Sequence, residues 1–374
     1  MKIVVTGAGG LLGWHAAARL HAANCAARFR GEAAPYDLAC LDHPAFADKD
    51  RLGAALEGAD LVLHFAGVNR APDEVLEDAN VQIAEALIDG CRAAGVTPRI
   101  VYANTIHASK DTVYGRSKRR AGQALSAFAS GYTDLVLPHI FGECARPRYN
   151  NVTATLVEAL WAGEEVEVNP DGEVALLHAG AAAQAAIDAG LGGGSGQVRP
   201  EPRAMRVPDL YDLLRSFRKG LEANIYPDLS DPFVCALYNS FRAASYPDHW
   251  PRPLKLNSDA RGTLFEAVKG GGGGQTFASW TEPGVTRGDH FHLDKVERFL
   301  VLQGEAIIRI RRVLHDEVWE YRVTGETPSA VDMPTLHTHS IENVGEGPLL
   351  TLFWTHEMFD PSRPDTYADP VLGG

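Results

Sequence analysis

Apolar residues in the first half of the chain come in short runs divided by helix-length stretches, and in the last third they alternate with polar ones. Lys2-Ile3-Val4-Val5-Thr6 is the first run, and a short, mostly apolar stretch of this kind suits a parallel strand buried on both faces. Gly7-Ala8-Gly9-Gly10-Leu11-Leu12-Gly13 follows, then a helical pattern through Leu20. Residues 38–42 predict a second strand, residues 60–67 a fourth with the turn behind it, and residues 99–102 another that ends near Ala103-Asn104-Thr105. Tyr114 and Lys118 are four apart, so a helix carries both on one face. Gly192-Gly193-Gly194-Ser195-Gly196 is a surface turn. Pro208, with Asp209 beside it, opens one more helix of the same domain, through Lys219.

No helical pattern survives residues 245–253, which are rich in aromatic and Pro residues, and the domain boundary is placed there, giving domains at 1–247 and 254–374. Beyond it, period-two segments at 263–268 and 275–280 predict two strands, with the glycine run at 270–274 as the hairpin loop between them. Residues 299–302, 306–311 and 349–354 supply further strands. Strand–turn–helix units followed by strands alone predict an α/β domain and then an all-β one. A chain of 374 residues is long enough for both.

Composition narrows the classes. Hydrophobic content of 45% and charged content of 22% are ordinary for a soluble globular protein. No apolar run approaches the roughly 20 residues of a membrane span, and the N-terminus enters a strand without a signal pattern. The five Cys lack pairing spacings, so a reducing cytoplasm is expected. A net charge of −13 argues against a nucleic-acid partner.

Strand, glycine turn and helix in that order are the parts of a pyrophosphate site. Missing Cβ atoms admit the backbone to the phosphates, and the helix N-terminus offers unpaired N–H groups. Spaced as Gly7, Gly10 and Gly13, the turn resembles that of the extended short-chain dehydrogenase/reductases. The resemblance implies a Rossmann-type, doubly wound parallel sheet and a bound NADPH, with NADH as the alternative. Cofactor contacts are expected from Gly7, Gly10, Leu11, Leu12, Gly13, Asp42, Phe65, Ala66, Gly67, Lys118 and His139. Asp42 favours the free ribose of NADH; it equally suits a loop cap, and Arg28 and Arg30 keep a phosphate-bearing cofactor open.

In the same family Tyr114 would donate a proton, with the Lys118 ammonium favouring its phenolate and holding the nicotinamide ribose. Thr105 sits where the family places a Ser or Thr against the substrate carbonyl. Residues 137–142 resemble the segment that meets nicotinamide and substrate. Arg146, Arg148, Tyr149 and Asn150 follow in the region where extended members meet the sugar nucleotide, and guanidinium groups suit a diphosphate; an ordinary polar loop is the alternative. Around residues 176–180 the acids of the family's His-Val-Asp-Asp run are absent.

A second constellation lies further on: Gly284-x5-His290-x-His292-x4-Glu297-x6-Gly304, then Pro334-x4-His339-x3-Asn343. Two His one residue apart on a strand share a face, and a carboxylate with a further imidazole completes a mixed set suited to Zn²⁺. The spacing resembles the two motifs of the cupin family, which implies a jelly-roll barrel holding metal on His290, His292, Glu297 and His339. The family's usual Gly in the second motif is Leu336 here, which puts that turn in question.

The whole chain resembles the bifunctional capsular-polysaccharide enzymes that make UDP-N-acetyl-L-fucosamine precursors, down to Asn257-Ser258-Asp259-Ala260-Arg261-Gly262 and Pro364-Asp365-Thr366-Tyr367. The resemblance implies that the cupin epimerises carbon three of a UDP-2-acetamido-2,6-dideoxy-4-hexulose and that the reductase then reduces the 4-keto group, giving UDP-N-acetyl-6-deoxy-L-talosamine. A ketone at carbon four acidifies the proton at carbon three, so epimerisation has to precede reduction. With four side chains on metal, Lys295, His337 or a tyrosine remain as candidates for the base. A homodimer is expected. Two other readings stand beside this one: a reductase with a structural, dimerising cupin, and a non-enzymatic nucleotide-sensing module. The Tyr-x3-Lys pair argues against the second.

Overall fold

The computed structural model describes residues 1–373. The chain divides into two compact units, one made of Met1–Val152 and Asp171–Val207, the other of Thr153–Pro170 and the chain from Pro208 onward.

The first unit is built on a six-stranded parallel sheet. Its strands lie in the order Asp37–Leu41, Lys2–Thr6, Leu61–His64, Arg99–Thr105, Gly131–Leu137, Gly196–Val198. Period two sorts its side chains between two cores. Ile3, Val5, Leu61 and Leu63 pack with Ala16, Leu20 and Ala183 on one face. Val4, Val62 and Ile100 pack with Leu56, Leu87 and Leu125 on the other. Helices on both faces make the sheet doubly wound, as expected. The strand at Leu61–His64 is the third in chain order, not the fourth. Residues 43–56 instead form the short helices His43–Ala47 and Lys49–Leu56, because Asp42 and Asp48 cap their first turns. Chain order reverses at Lys2–Thr6, whose neighbours are the next two strands, and a crevice at that switch point is where such sheets bind ligands.

The second unit is rich in antiparallel strands. One five-stranded sheet has the order Arg252–Pro253, Ser329–Met333, Glu297–Gln303, Leu349–Thr355, Gln275–Thr281. The other runs Val318–Thr324, Glu305–Arg312, His337–Asn343, Thr286–Phe291, Tyr367–Ala368. Their inner faces meet where Phe299 of the first sheet lies edge-on to His339 of the second, with ring centroids 5.6 Å apart.

Two expectations change here. The helix Val207–Glu222, expected to belong to the first domain, packs almost wholly in the second unit with Pro232–Ala243. Its stripe of Leu210, Leu214, Phe217 and Leu221 is buried there, Phe217 lying edge-on to Tyr238 at 5.1 Å. The next helix is bonded to the β-sheets through Asn239 Nδ2 to Asp294 O at 2.8 Å and Arg242 Nη1 to Met333 O at 3.1 Å. The glycine run at 270–274 is not a hairpin loop. Gly262–Leu264 pairs with Asn257–Asp259, Gln275–Thr281 pairs with Leu349–Thr355, and Lys269–Gly270 pairs in parallel with Ile225–Tyr226. Lacking Cβ atoms, the run lies close against the backbone at Tyr226, whose carbonyl accepts from Gly271 N.

Candidate functional sites

At the C-terminal end of Lys2–Thr6, the glycine turn is packed too closely at Gly7 and Gly13 to admit side chains there. Gly7 has φ +69°, and a Cβ there would lie 2.7 Å from Ala66 N. A Cβ on Gly13 would lie 2.1 Å from Gly7 O. Gly10 is the N-cap of Leu11–Phe29 and no side chain caps that helix, so its first amides are free to meet an anion. Leu11 and Leu12, half-buried, form the first helical positions. Phe65, Ala66 and Gly67 line the neighbouring strand end, where Gly67 lies against Asn80 and the Lys118 ammonium. Asp42 borders the turn, its Cβ 3.4 Å from where Gly9 would carry one, and its carboxylate caps the next helix by accepting from Ala45 N at 2.9 Å. Arg30 pairs with Glu32 at the surface.

The helix Val113–Phe128 brings Tyr114 and Lys118 to this crevice, its N-terminus held by Thr112, whose hydroxyl accepts from Gly115 N at 3.1 Å. Thr105 closes strand Arg99–Thr105, its hydroxyl beside the Tyr114 phenol. Burial raises the Tyr114 pKa, and the Thr105 hydroxyl opposes the shift without cancelling it. The expected depression by Lys118 is not what this arrangement produces. Lys118, buried, donates from Nζ to Ala103 O at 2.6 Å and stands over the Tyr102 ring at 4.0 Å. Desolvation lowers its own pKa to about 7, against a smaller opposing pull from Asp134.

Strand His139–Phe141 brings His139 close by; burial lowers its pKa, and its Nε2 is a buried atom without a hydrogen-bond partner. In the loop that follows, Arg146 lies over the Tyr149 ring at 4.7 Å, Arg148 and Asn150 hold positive φ, and Asn150 Nδ2 donates to Asn69 O at 3.4 Å. Both guanidinium groups are exposed. Sequence reasoning missed one neighbour. Glu143, fully buried, accepts from or shares a proton with His178 Nε2 at 2.8 Å and lies 3.7 Å from His15 Nε2. Burial would raise this carboxyl, but the two imidazoles outweigh it and hold the group below the usual range.

In the second unit, the four expected ligands come together. One ligand atom from each of His290, His292, Glu297 and His339 lies within 4.8 Å of all the others. His290 and His339 face each other across paired strands, a bulge at Gly288–His290 re-aiming the first, and Glu297 reaches in from the opposite sheet. His292 Nε2 is 3.1 Å from Glu297 Oε2, and His339 Nε2 is 3.2 Å from the same oxygen without the geometry of a hydrogen bond. Burial lowers His290 to about 3. Burial also pushes Glu297 up, but the His292 and His339 imidazoles outweigh it and hold the carboxylate ionised. Burial lowers His339 as well, whereas at His292 burial is outweighed by the Glu297 carboxylate and the pKa rises. Three imidazoles around an ionised carboxylate, with one buried nitrogen unbonded, form a donor set that a divalent cation can take. Residues and group fit.

The turn in question at Leu336 is made after all. Leu336 takes φ +59°, the left-handed conformation that the family's Gly would supply, at a cost of about 1–3 kcal/mol. Its side chain is buried, and its N–H donates to His292 O at 2.8 Å, so burial and bonding offset the strain. Both base candidates make hydrogen bonds to main-chain carbonyls. Lys295 Nζ donates to Pro364 O at 2.6 Å, and His337 Nδ1 donates to Thr335 O at 2.8 Å while its ring stacks on Trp319.

Fold and sites define a nucleotide-binding α/β unit of the NAD-dependent epimerase/dehydratase type joined to a β unit with a clustered His/Glu site. Comparison with known proteins bears on both. Residues 3–188 match the NAD dependent epimerase/dehydratase family, and residues 257–367 match the polysaccharide biosynthesis C-terminal domain. The chain is 30% identical to a Pseudomonas aeruginosa protein named UDP-2-acetamido-2,6-beta-L-arabino-hexul-4-ose reductase, with 100% of both chains covered. It is 29% identical to the crystal structure of the capsular polysaccharide assembling protein CapF from Staphylococcus aureus, covering 99% of this chain and 100% of that one with a TM-score of 0.58. A second crystal form of that protein, at 28% identity and equal coverage, gives a TM-score of 0.52. The chain belongs to this family of CapF-like capsule-precursor enzymes.

Proposed function

We propose that the protein is a bifunctional sugar-nucleotide enzyme, an epimerase at carbon three and a reductase at carbon four of a UDP-2-acetamido-2,6-dideoxy-4-hexulose. The product would be UDP-N-acetyl-6-deoxy-L-talosamine, a precursor of UDP-N-acetyl-L-fucosamine for surface polysaccharide. The observation that carries this reading is that one chain holds both a Thr105–Tyr114 hydroxyl pair beside a glycine cradle and a buried four-ligand His/Glu cluster. The Pseudomonas relative's name supports the reductive half.

In the reductase, the amides at the start of Leu11–Phe29 and the Gly7–Gly13 turn would hold the pyrophosphate of NADPH, or of NADH if Asp42 receives the ribose. The reduced nicotinamide supplies the hydride. Tyr114 then gives its phenolic proton to the oxygen at carbon four, Thr105 orients that oxygen, and Lys118 would hold the nicotinamide ribose. Arg146 and Arg148 are placed in an exposed loop suited to the diphosphate.

The β unit is read as a cupin jelly roll holding Zn²⁺ on His290, His292, Glu297 and His339. A cation there would act as a Lewis acid toward a carbonyl or hold the ligands in place. A base removes the proton at carbon three and the enolate is reprotonated from the other face; Lys295 and His337 remain the candidates. The protein would act as a cytoplasmic homodimer. No helix among the described residues is long and apolar enough to cross a membrane. Incubating the purified protein with the 4-keto sugar nucleotide and each reduced nicotinamide tests the reductive half. Absence of cofactor oxidation with both would end this reading.

A further inference from the structure

The turn that joins two of the candidate ligands is fastened from far along the chain. His292 lies just past strand Thr286–Phe291, and Glu297 opens the next strand, so the four residues between them set the separation and aim of both. Asp365 holds this turn with its main chain and its side chain together. Its carbonyl accepts from His292 Nδ1 at 2.5 Å. Its carboxylate accepts from Leu293 N at 2.8 Å, Asp294 N at 3.0 Å and Lys295 N at 2.8 Å. Three successive amides converging on one carboxylate form an anion nest, and hydrogen bonds to a charged acceptor are the stronger kind.

The segment that carries Asp365 is itself pinned. On one side the Lys295 ammonium donates to Pro364 O, and on the other Tyr367–Ala368 pairs with the strand that bears His290. Asp369 continues the attachment, donating from N to Asp289 O and pairing with Arg311 at 3.0 Å. Asp365 has φ +40°, an uncommon backbone conformation for a residue other than Gly.

We propose that Asp365 is a positioning residue for the metal centre, an inference that rests on the metal reading given above. A carbonyl oxygen can only accept, so His292 carries a proton on Nδ1 and turns Nε2 toward Glu297 and His339. Fixing the tautomer and ring plane of a ligand in this way is how groups behind the ligands raise metal affinity. The nest then prevents the 293–295 backbone from moving His292 away from Glu297. Asp365 touches neither substrate nor cofactor in this scheme; it acts through His292.

The test uses the full-length protein, loaded with Zn²⁺ and separately with Co²⁺. Asp365→Ala is expected to lower zinc affinity about 10- to 100-fold in competition with a chromogenic chelator. It should also shift the visible spectrum of the cobalt form and speed amide exchange at residues 293–295, with far-UV dichroism unchanged. Asp365→Asn keeps one acceptor oxygen and should fall between, and it carries the test if the Ala variant does not fold. Asp365→Ala keeps the main-chain carbonyl and loses only the nest, so wild-type zinc affinity and cobalt spectrum in that variant would overturn the positioning role of the carboxylate. A wild-type protein that takes up neither ion would overturn the metal reading, and the positioning role with it.

Discussion

The Lys118 ammonium donates to the Ala103 carbonyl across 2.6 Å, inside a site where burial lowers its pKa to about 7. In the unfolded chain the same group titrates near 10.4. Between those values the unfolded state binds the proton and the folded state does not, so stability rises with pH across that window. The penalty is fully present at and below pH 7 and fades toward pH 10. Lys118→Met removes it. Without cofactor, the melting temperature of this variant relative to wild type should therefore be most favourable near pH 7 and fall as pH rises to 10. A difference that does not change with pH would mean that the lysine stays charged in the folded protein.

Tyr114 opens the helix that carries Lys118, with the Thr105 hydroxyl beside its phenol. Tyr114→Phe should slow cofactor oxidation by about 10²- to 10⁴-fold, the usual worth of general acid catalysis. Exchange of the proton at carbon three with solvent should continue. Loss of both activities in a folded variant would argue against two separate sites.

A Cβ on Gly13 would stand 2.1 Å from Gly7 O, closer than any rotamer change relieves. Gly13→Ala should force the turn open. If that costs about 1.4 kcal/mol in the bound state, affinity for the reduced nicotinamide falls about tenfold. Titration of intrinsic tryptophan fluorescence with NADPH and NADH reads this directly.

His290 contributes one corner of the four-ligand cluster. His290→Ala should lose the zinc that wild type retains through gel filtration, as measured by metal analysis, and with it the exchange at carbon three. A variant with full zinc and full exchange would remove His290 from the ligand set.

Legibility followed the range over which each interaction acts. The His/Glu cluster was readable because period two sets His290 and His292 on one face and the spacing of the two motifs brings in Glu297 and His339. Gly7 and Gly13 were readable because backbone crowding admits no other residue there. Asp365 was not, since its bond to His292 spans 73 positions and a carbonyl leaves no residue-type signal. The stripe Leu210, Leu214, Phe217 and Leu221 announces a buried helix face but not what covers it, so the helix was placed with the wrong unit. Lys118 was expected to act on Tyr114 from helical spacing and the family resemblance; the carbonyl that accepts its hydrogen bond comes from a strand. Leu336 shows the converse, a turn kept without its usual Gly because burial and a hydrogen bond hold it.

The most direct test of the two-activity account runs the reaction in deuterated water with the UDP-linked 4-keto-6-deoxy-N-acetylhexosamine and NADPH or NADH. Cofactor oxidation and deuterium at carbon three are followed together. The account predicts oxidation with deuterium incorporated in the product. Oxidation with no deuterium would contradict it, leaving the β unit without a part in the chemistry.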